Sequence, residues 1–135
     1  MKQIIILIVT IQIIFFFPLQ AILDKQNHYK MTNATTIVFT HAQKARIEGR
    51  FTPEIKTKML EELAKYFPRD EIEYTLTEIP KYRLPHYDEG EKIHFEVIVP
   101  IKKLLVLGNF WGISNEENKL GYKIDGVVSS ELLPR

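Results

Sequence analysis

The chain contains no cysteine, which excludes a disulfide framework, a thiolate metal site and a cysteine nucleophile. It also has no Gly-rich phosphate loop and no serine flanked by the glycines of a nucleophile elbow. Of the 18 basic and 17 acidic residues, only Lys2 precedes Asp24, so the rest of the chain carries 17 of each sign. This balance argues against nucleic acid as a main partner.

The titratable side chains do not form a recognisable site either. The four histidines share no metal-ligand spacing, and His41, on a helix face, is predicted to pack or to lie at an interface. The acidic stretch 88–91 lacks the spaced oxygens of a calcium loop and is predicted to form a turn. We therefore predict no catalytic residue, no metal site, no cofactor and no enzymatic activity. The histidines are His28, His41, His86 and His94.

One apolar run without a charged residue extends over residues 3–23. Fifteen of the twenty positions 4–23 are Ile, Leu, Val or Phe. A helix that rises about 1.5 Å per residue needs about 20 such residues to cross a hydrocarbon core of about 30 Å. We predict that residues 1–23 form a transmembrane helix in contact with lipid. Its predicted membrane-spanning residues include Ile4, Ile8, Ile11, Phe15, Pro18 and Ile22.

The same N-terminus also has features of a secretory signal, with Lys2 before the run and Ala21 as a candidate cleavage position. However, the run is longer than the roughly 7–15 residues of a signal core, and Leu19 is large where a small residue is preferred. We predict an uncleaved single-pass anchor in the cell membrane, with the C-terminal domain extracytoplasmic. The alternative is secretion after cleavage near Ala21.

Helical periodicity continues past the apolar run. Because nothing between Leu23 and Ala45 requires a break, we predict one helix from about residue 3 to residue 48, with a kink at Pro18. Threonines lower the helix propensity around 32–36, and a break there is the alternative. Segment 24–49 is then an amphipathic continuation that Gly49 ends. Its recurring face is Met31, Ala34, Val38, His41 or Ala42, and Ala45.

Residues 50–135 are predicted to form a small α+β head domain. Thr52 and Pro53 are suited to cap and begin a second helix, which Pro68 ends. Period-two alternation predicts antiparallel strands near 72–77 and 92–99 and a third near 122–128. The fold class is α+β, with a long N-terminal helix, a short second helix and a three- to four-stranded antiparallel sheet. The predicted buried stripe of the second helix is Ile55, Met59, Leu63, Tyr66 and Phe67.

The apolar segment 100–113 has neither the helix nor the strand period, and it contains the only tryptophan. A strand end, a short helix and a surface loop all remain open for it. In the leading interpretation its large side chains complete the core. In the alternative they form an exposed interface with lipid or a partner subunit, since Trp beside Lys suits a membrane surface. The candidate interface residues are Leu104, Leu107, Phe110 and Trp111.

Three short stretches follow the apolar helix in a distinctive order. Residues 45–49 (ARIEG) close the long helix, residues 51–54 (FTPE) open the short one, and residues 90–97 (GEKIHFEV) form a strand. This order resembles TadE-like minor pseudopilins and small pilin-like membrane proteins of Gram-positive bacteria. The resemblance implies a non-enzymatic, pilin-like subunit of a cell-envelope pilus, secretion or conjugation-type assembly. Membrane lipid and other pilin-like subunits would be its partners.

Pilin-like precursors usually have a small residue before the apolar helix and often a glutamate five residues into the mature helix. Here no Gly or Ala precedes the run and no acid precedes Asp24. We therefore expect either that the chain stays uncut or that a leader precedes it. The alternative function is a secreted or membrane-tethered binding domain with no pilus role.

Overall fold

The computed structural model describes residues 1–85 and 89–134 of the chain. Its helices are α1 (Lys2–Glu48) and α2 (Pro53–Leu63), and its strands are β1 (Glu73–Leu76), β2 (Lys92–Lys102) and β3 (Lys119–Ser129). The predicted α+β fold, with a long N-terminal helix, a short second helix and a three-stranded antiparallel sheet, is confirmed. His86 and Asp88, which entered the predictions above, lie outside the described residues.

The helix α1 is continuous over 47 residues, as the periodicity predicts. The threonines do not break it, because the hydroxyls of Thr35, Thr36 and Thr40 each donate to the carbonyl four residues earlier, at 2.7–2.9 Å. Gly49 follows the helix with φ +75°, a left-handed conformation that suits glycine. The helix also continues through Pro18, and the predicted kink there stays a prediction.

The chain divides into two compact units. Residues 1–30 and 101–120 form the first, which we call the N-terminal unit. Residues 31–100 and 121–135 form the second, the head unit. The elements α1, β2 and β3 contribute residues to both units, whereas β1 lies entirely in the head unit.

The core of the head unit forms where small residues of α1 meet α2 and the sheet. Ala34, Val38, Ala42 and Ala45 are fully buried, and so are Met59 and Leu63 of α2. Thr52 caps α2 as predicted, since its hydroxyl accepts from the N–H of Ile55 at 3.2 Å. The predicted stripe is wrong at Tyr66, which is 38% exposed because α2 ends at Leu63 and the chain turns away from the helix face.

The sheet has the order β1-β2-β3, with β2 in the centre. Glu73 pairs with Ile98 and Leu76 with Phe95 in the antiparallel β1–β2 register. Along β2 the alternate residues Ile93, Phe95, Val97, Val99 and Ile101 are at most 2% exposed, so one face of the central strand is buried as predicted.

The ring of Phe95 explains why position 126 in β3 is a glycine. A Cβ atom at this position would lie 2.7 Å from the ring of Phe95. That ring in turn packs edge-on against Phe39 of α1, with centroids 5.4 Å apart. The glycine therefore makes room for an aromatic cluster in the head core.

Candidate membrane-contact site

The apolar half of α1 is exposed along its whole length. Among its predicted membrane-spanning residues, Ile4, Ile8, Ile11, Phe15 and Ile22 are 44–62% exposed, and Pro18 is exposed as well. By length and composition α1 is able to cross a membrane. Since each Å² of apolar surface left in water costs about 25 cal/mol, this half of the helix requires lipid or protein around it.

The run also contains polar side chains, and two of them find partners. The Thr10 hydroxyl donates to the carbonyl of Ile6 at 2.7 Å, so it is satisfied within the helix. The Gln20 amide instead bridges to a distant segment of the N-terminal unit. Its Nε2 donates to the carbonyl of Leu104 at 2.7 Å, and its Oε1 accepts from the N–H of Val106 at 3.0 Å. Nε2 also lies 2.7 Å from the Asp24 carboxylate as a second acceptor.

Asn27 makes the next contact on the same helix face. Its side chain is buried, and its Nδ2 donates to the carbonyl of Lys103 at 3.2 Å. Lys103 has φ +56°, a left-handed conformation that is uncommon for a residue with a side chain. Gln20, Asp24 and Asn27 are spaced at i, i+4 and i+7, so one stripe of α1 holds the segment that leaves β2.

That segment, residues 103–118, is the β2–β3 loop. Asn118 closes it: its Oδ1 accepts from the N–H of Leu105 at 2.7 Å, and its Nδ2 donates to the Leu105 carbonyl at 2.9 Å. A Cβ atom at Gly108 would lie 2.7 Å from the Asn118 amide, so the loop needs glycine at this position. The loop is therefore held on one side by α1 and on the other by its own C-terminal residue.

The four candidate interface residues lie in this loop. Leu104 and Leu107 are half-buried, whereas Phe110 is 62% and Trp111 64% exposed. The two rings meet edge-on, with centroids 5.5 Å apart, in a 3-10 turn at Asn109–Trp111. The interpretation that this segment completes the core is wrong for Phe110 and Trp111, because the core of the head unit is filled by α1, α2 and β2.

Sequence reasoning missed Gln20, Asn27 and Asn118. Gln20 interrupts an apolar run, and hydropathy alone predicts no partner for it. The available signal was the i, i+4, i+7 spacing of Gln20, Asp24 and Asn27 at the end of an otherwise apolar run. Nothing in that spacing identifies residues 104–106 as the partner, because they lie more than 80 positions further along the chain.

The head unit has one buried titratable group of note. His41 is fully buried, and its Nε2 lies 3.4 Å from the Glu62 carboxylate, too poorly aligned for a hydrogen bond. Burial lowers the pKa of His41, and the nearby Glu62 carboxylate opposes this shift. Lys44 and Lys58, which line an open groove beside it, also lower the pKa.

Residues 1–85 and 89–134 contain no group of three or more His, Asp or Glu side chains placed to hold a metal ion. No protein-family model, curated protein or solved structure matches this chain.

Proposed function

We propose that this protein is a non-enzymatic, membrane-anchored, pilin-like subunit of a cell-envelope assembly. In this proposal the apolar half of α1 crosses the cell membrane, and the head unit lies on the extracytoplasmic side. The exposed apolar face of α1 then contacts lipid and the equivalent helices of other subunits. The resemblance to TadE-like pseudopilins supports the same assignment, in a pilus, secretion or conjugation-type machine.

One observation carries the proposal: α1 passes from the apolar run to the head core without a single non-helical residue. A plain tether needs only to cross the bilayer, and a flexible linker after it would suffice. Here the helix has 47 residues, about 70 Å at 1.5 Å per residue, and its later turns supply Ala34, Val38, Ala42 and Ala45 to the core. The membrane anchor and part of the head core are thus formed by the same helix, α1, as an assembling subunit requires.

Single-cysteine crosslinking tests this directly, because the chain has no cysteine of its own. Each position from Ile4 to Phe17 is replaced by cysteine in turn, and oxidative crosslinking is measured in native membranes. We expect crosslinks to partner helices at positions spaced by about 3.6 residues, which identifies one packing face. Cysteine at Tyr29, outside the run, serves as the matched control.

Uniform absence of crosslinks along the run, in a protein that stays in the membrane, would contradict assembly through α1. The alternative, a tethered binding domain, would then be favoured. Release of the protein from membranes after loss of residues 1–21, seen by intact mass, would contradict the anchor itself.

A further inference from the structure

We propose that the β2–β3 loop is a second membrane-contacting element of this protein. In this view Phe110 and Trp111 insert into the interfacial zone of the bilayer that α1 crosses, at the end of the apolar run nearest Leu23. Gln20 acts as the polar clamp that holds the loop against the helix. The inference depends on the membrane-anchoring part of the proposed function and not on the pilin-like assignment.

The position of Gln20 along α1 determines where the loop lies relative to the apolar run. Asn27 lies beyond the apolar run, whereas Gln20 lies inside it, three residues or about 5 Å before its end at Leu23. The loop contacts Asn27 through Lys103 and Gln20 through Leu104 and Val106. The chain therefore runs from the polar side of the run to the level of its last turn. Any bilayer that surrounds residues 3–23 meets residues 104–106 at this level.

The backbone of the loop is suited to an environment that offers few hydrogen bonds. The N–H groups of Leu104, Leu105 and Val106 are all bonded, to Asn118 or to Gln20. The carbonyls of Leu104 and Leu105 accept from the same two side chains. An irregular segment at membrane depth is tolerated where its backbone groups have protein partners, and these two amides supply them.

The side chains of the loop are suited to the same membrane environment as its backbone. They are apolar at the 3-10 turn, where Phe110 and Trp111 are each more than 60% exposed, basic at the start, where Lys103 lies at the level of Asn27, and acidic near the end, where Glu116 and Glu117 are exposed. Trp is enriched at membrane–water interfaces, and Lys near the end of a span extends toward the headgroups. The rings are thus placed for the acyl boundary and the ammonium for the headgroup region.

Lipid is favoured over a protein partner because the loop that carries the exposed Phe110 and Trp111, here called the patch, is bonded to the apolar run at Gln20. The loop and residues 1–30 belong to one compact unit. The lipid that covers the exposed apolar half of α1 therefore also covers the patch, because both surfaces are apolar. A second copy of the chain is the main competing occupant, and the experiment separates the two.

Trp111 is the only tryptophan in the chain, so tryptophan emission, excited at a wavelength where the six tyrosines do not absorb, reports on this loop alone. The full-length protein is reconstituted into phosphatidylcholine vesicles, with and without brominated acyl chains, and acrylamide is added as a water-soluble quencher. We expect a blue-shifted emission, about a twofold loss of intensity with brominated lipid and weak quenching by acrylamide, because Trp lies at the interface.

The clamp is tested by Gln20→Leu, with Gln12→Leu as the matched control in the same run. Gln20→Leu removes both bonds to the loop while keeping the helix apolar. We expect it to shift the emission to the red and to raise acrylamide quenching about twofold, because the Leu104 carbonyl and the Val106 N–H lose their partner in lipid. Gln12→Leu should change neither. Equal behaviour of the two variants would overturn the role of Gln20.

Three other outcomes overturn the proposal in different ways. Strong acrylamide quenching in vesicles that retain the protein places Trp111 in water. Shielding from both quenchers that increases with the protein-to-lipid ratio assigns the patch to a second copy of the chain. Failure of the protein to float with the vesicles removes the anchor, and with it the membrane part of the proposed function as well.

Discussion

The N-terminal unit and the head unit use the same helix in opposite ways. In the N-terminal unit the apolar side chains of α1 point outward and polar side chains hold the loop. In the head unit α1 buries one stripe, formed by Ala34, Val38, His41, Ala42 and Ala45, and its other side chains are half-buried or exposed. One helix thus serves two surroundings, since the apolar run leaves most of its surface exposed and the later turns bury a single stripe in the head core.

The largest expected effect comes from placing one charge in each half of α1. Val38→Asp buries an unpaired carboxylate in the head core and should cost more than about 4 kcal/mol, which abolishes the folded head. Ile13→Asp lies on the exposed run and should leave the head folded while reducing membrane insertion. Thermal unfolding in detergent and flotation with vesicles measure the two effects. An equally lowered melting temperature of the head in both variants would refute the distinction between the two halves of α1.

The packing of the head is tested by Gly126→Ala. The new methyl group meets the Phe95 ring, and overpacking of this kind costs about 1–3 kcal/mol of unfolding free energy. The double variant Gly126→Ala with Phe95→Leu should recover part of the loss, because the smaller side chain vacates the space. Chemical denaturation of the wild type, of the single variants Gly126→Ala and Phe95→Leu and of the double variant gives the coupling energy. Additive losses would mean that the two residues do not share a site.

The hydrogen-bonded loop of the N-terminal unit is tested by Asn118→Ala. The change leaves the N–H and carbonyl of Leu105 without their side-chain partners, at a local cost of about 1–3 kcal/mol. Amide exchange at Leu105 should accelerate accordingly, while the melting temperature of the head stays the same. Asn115→Ala, at an exposed position of the same loop, is the control. A lowered head melting temperature in Asn118→Ala would show that the loop supports the head core.

The smallest expected effect is a pH dependence of head stability through His41. Burial lowers its pKa in the folded state below the ordinary 6.5, so the unfolded chain binds a proton first as the pH falls. Stability is therefore unaffected above pH 6.5. Below it, stability decreases by at most about 1.4 kcal/mol per pH unit until the lowered pKa is reached.

His41→Gln should remove this decrease in denaturation curves measured between pH 7 and pH 5. Exposed His94→Gln, in the same unit, should keep it. A wild-type slope that survives in His41→Gln would assign the effect to the carboxylates.

Local pattern was sufficient for most of the fold. The 3.6-residue period predicted α1 to within about a residue at its C-terminal end, and Thr52–Pro53 marked the start of α2. The alternation along β2 identified its buried face. Tyr66 was predicted buried because it continues the helical stripe, and the end of α2 at Leu63 removed it from that stripe.

The candidate site was much less predictable. The exposure of Phe110 and Trp111 was only one of two interpretations, because hydrophobicity does not distinguish a core side chain from one that meets lipid. The Gln20 clamp depends on atoms of Leu104 and Val106, which follow residues 31–100 of the head unit in the chain. Such a long-range pairing has no periodic signature.

The Gln20 clamp also has an evolutionary consequence. Both of its loop partners, the Leu104 carbonyl and the Val106 N–H, are main-chain atoms, so the side chains at 104–106 are free to change. Position 20 is restricted instead to a side chain that donates from one atom and accepts at another in the geometry of a carboxamide, as Gln and Asn do. Divergent descendants of this chain should therefore be traceable by a lone amide near the end of the apolar run, even after the loop sequence has drifted beyond recognition.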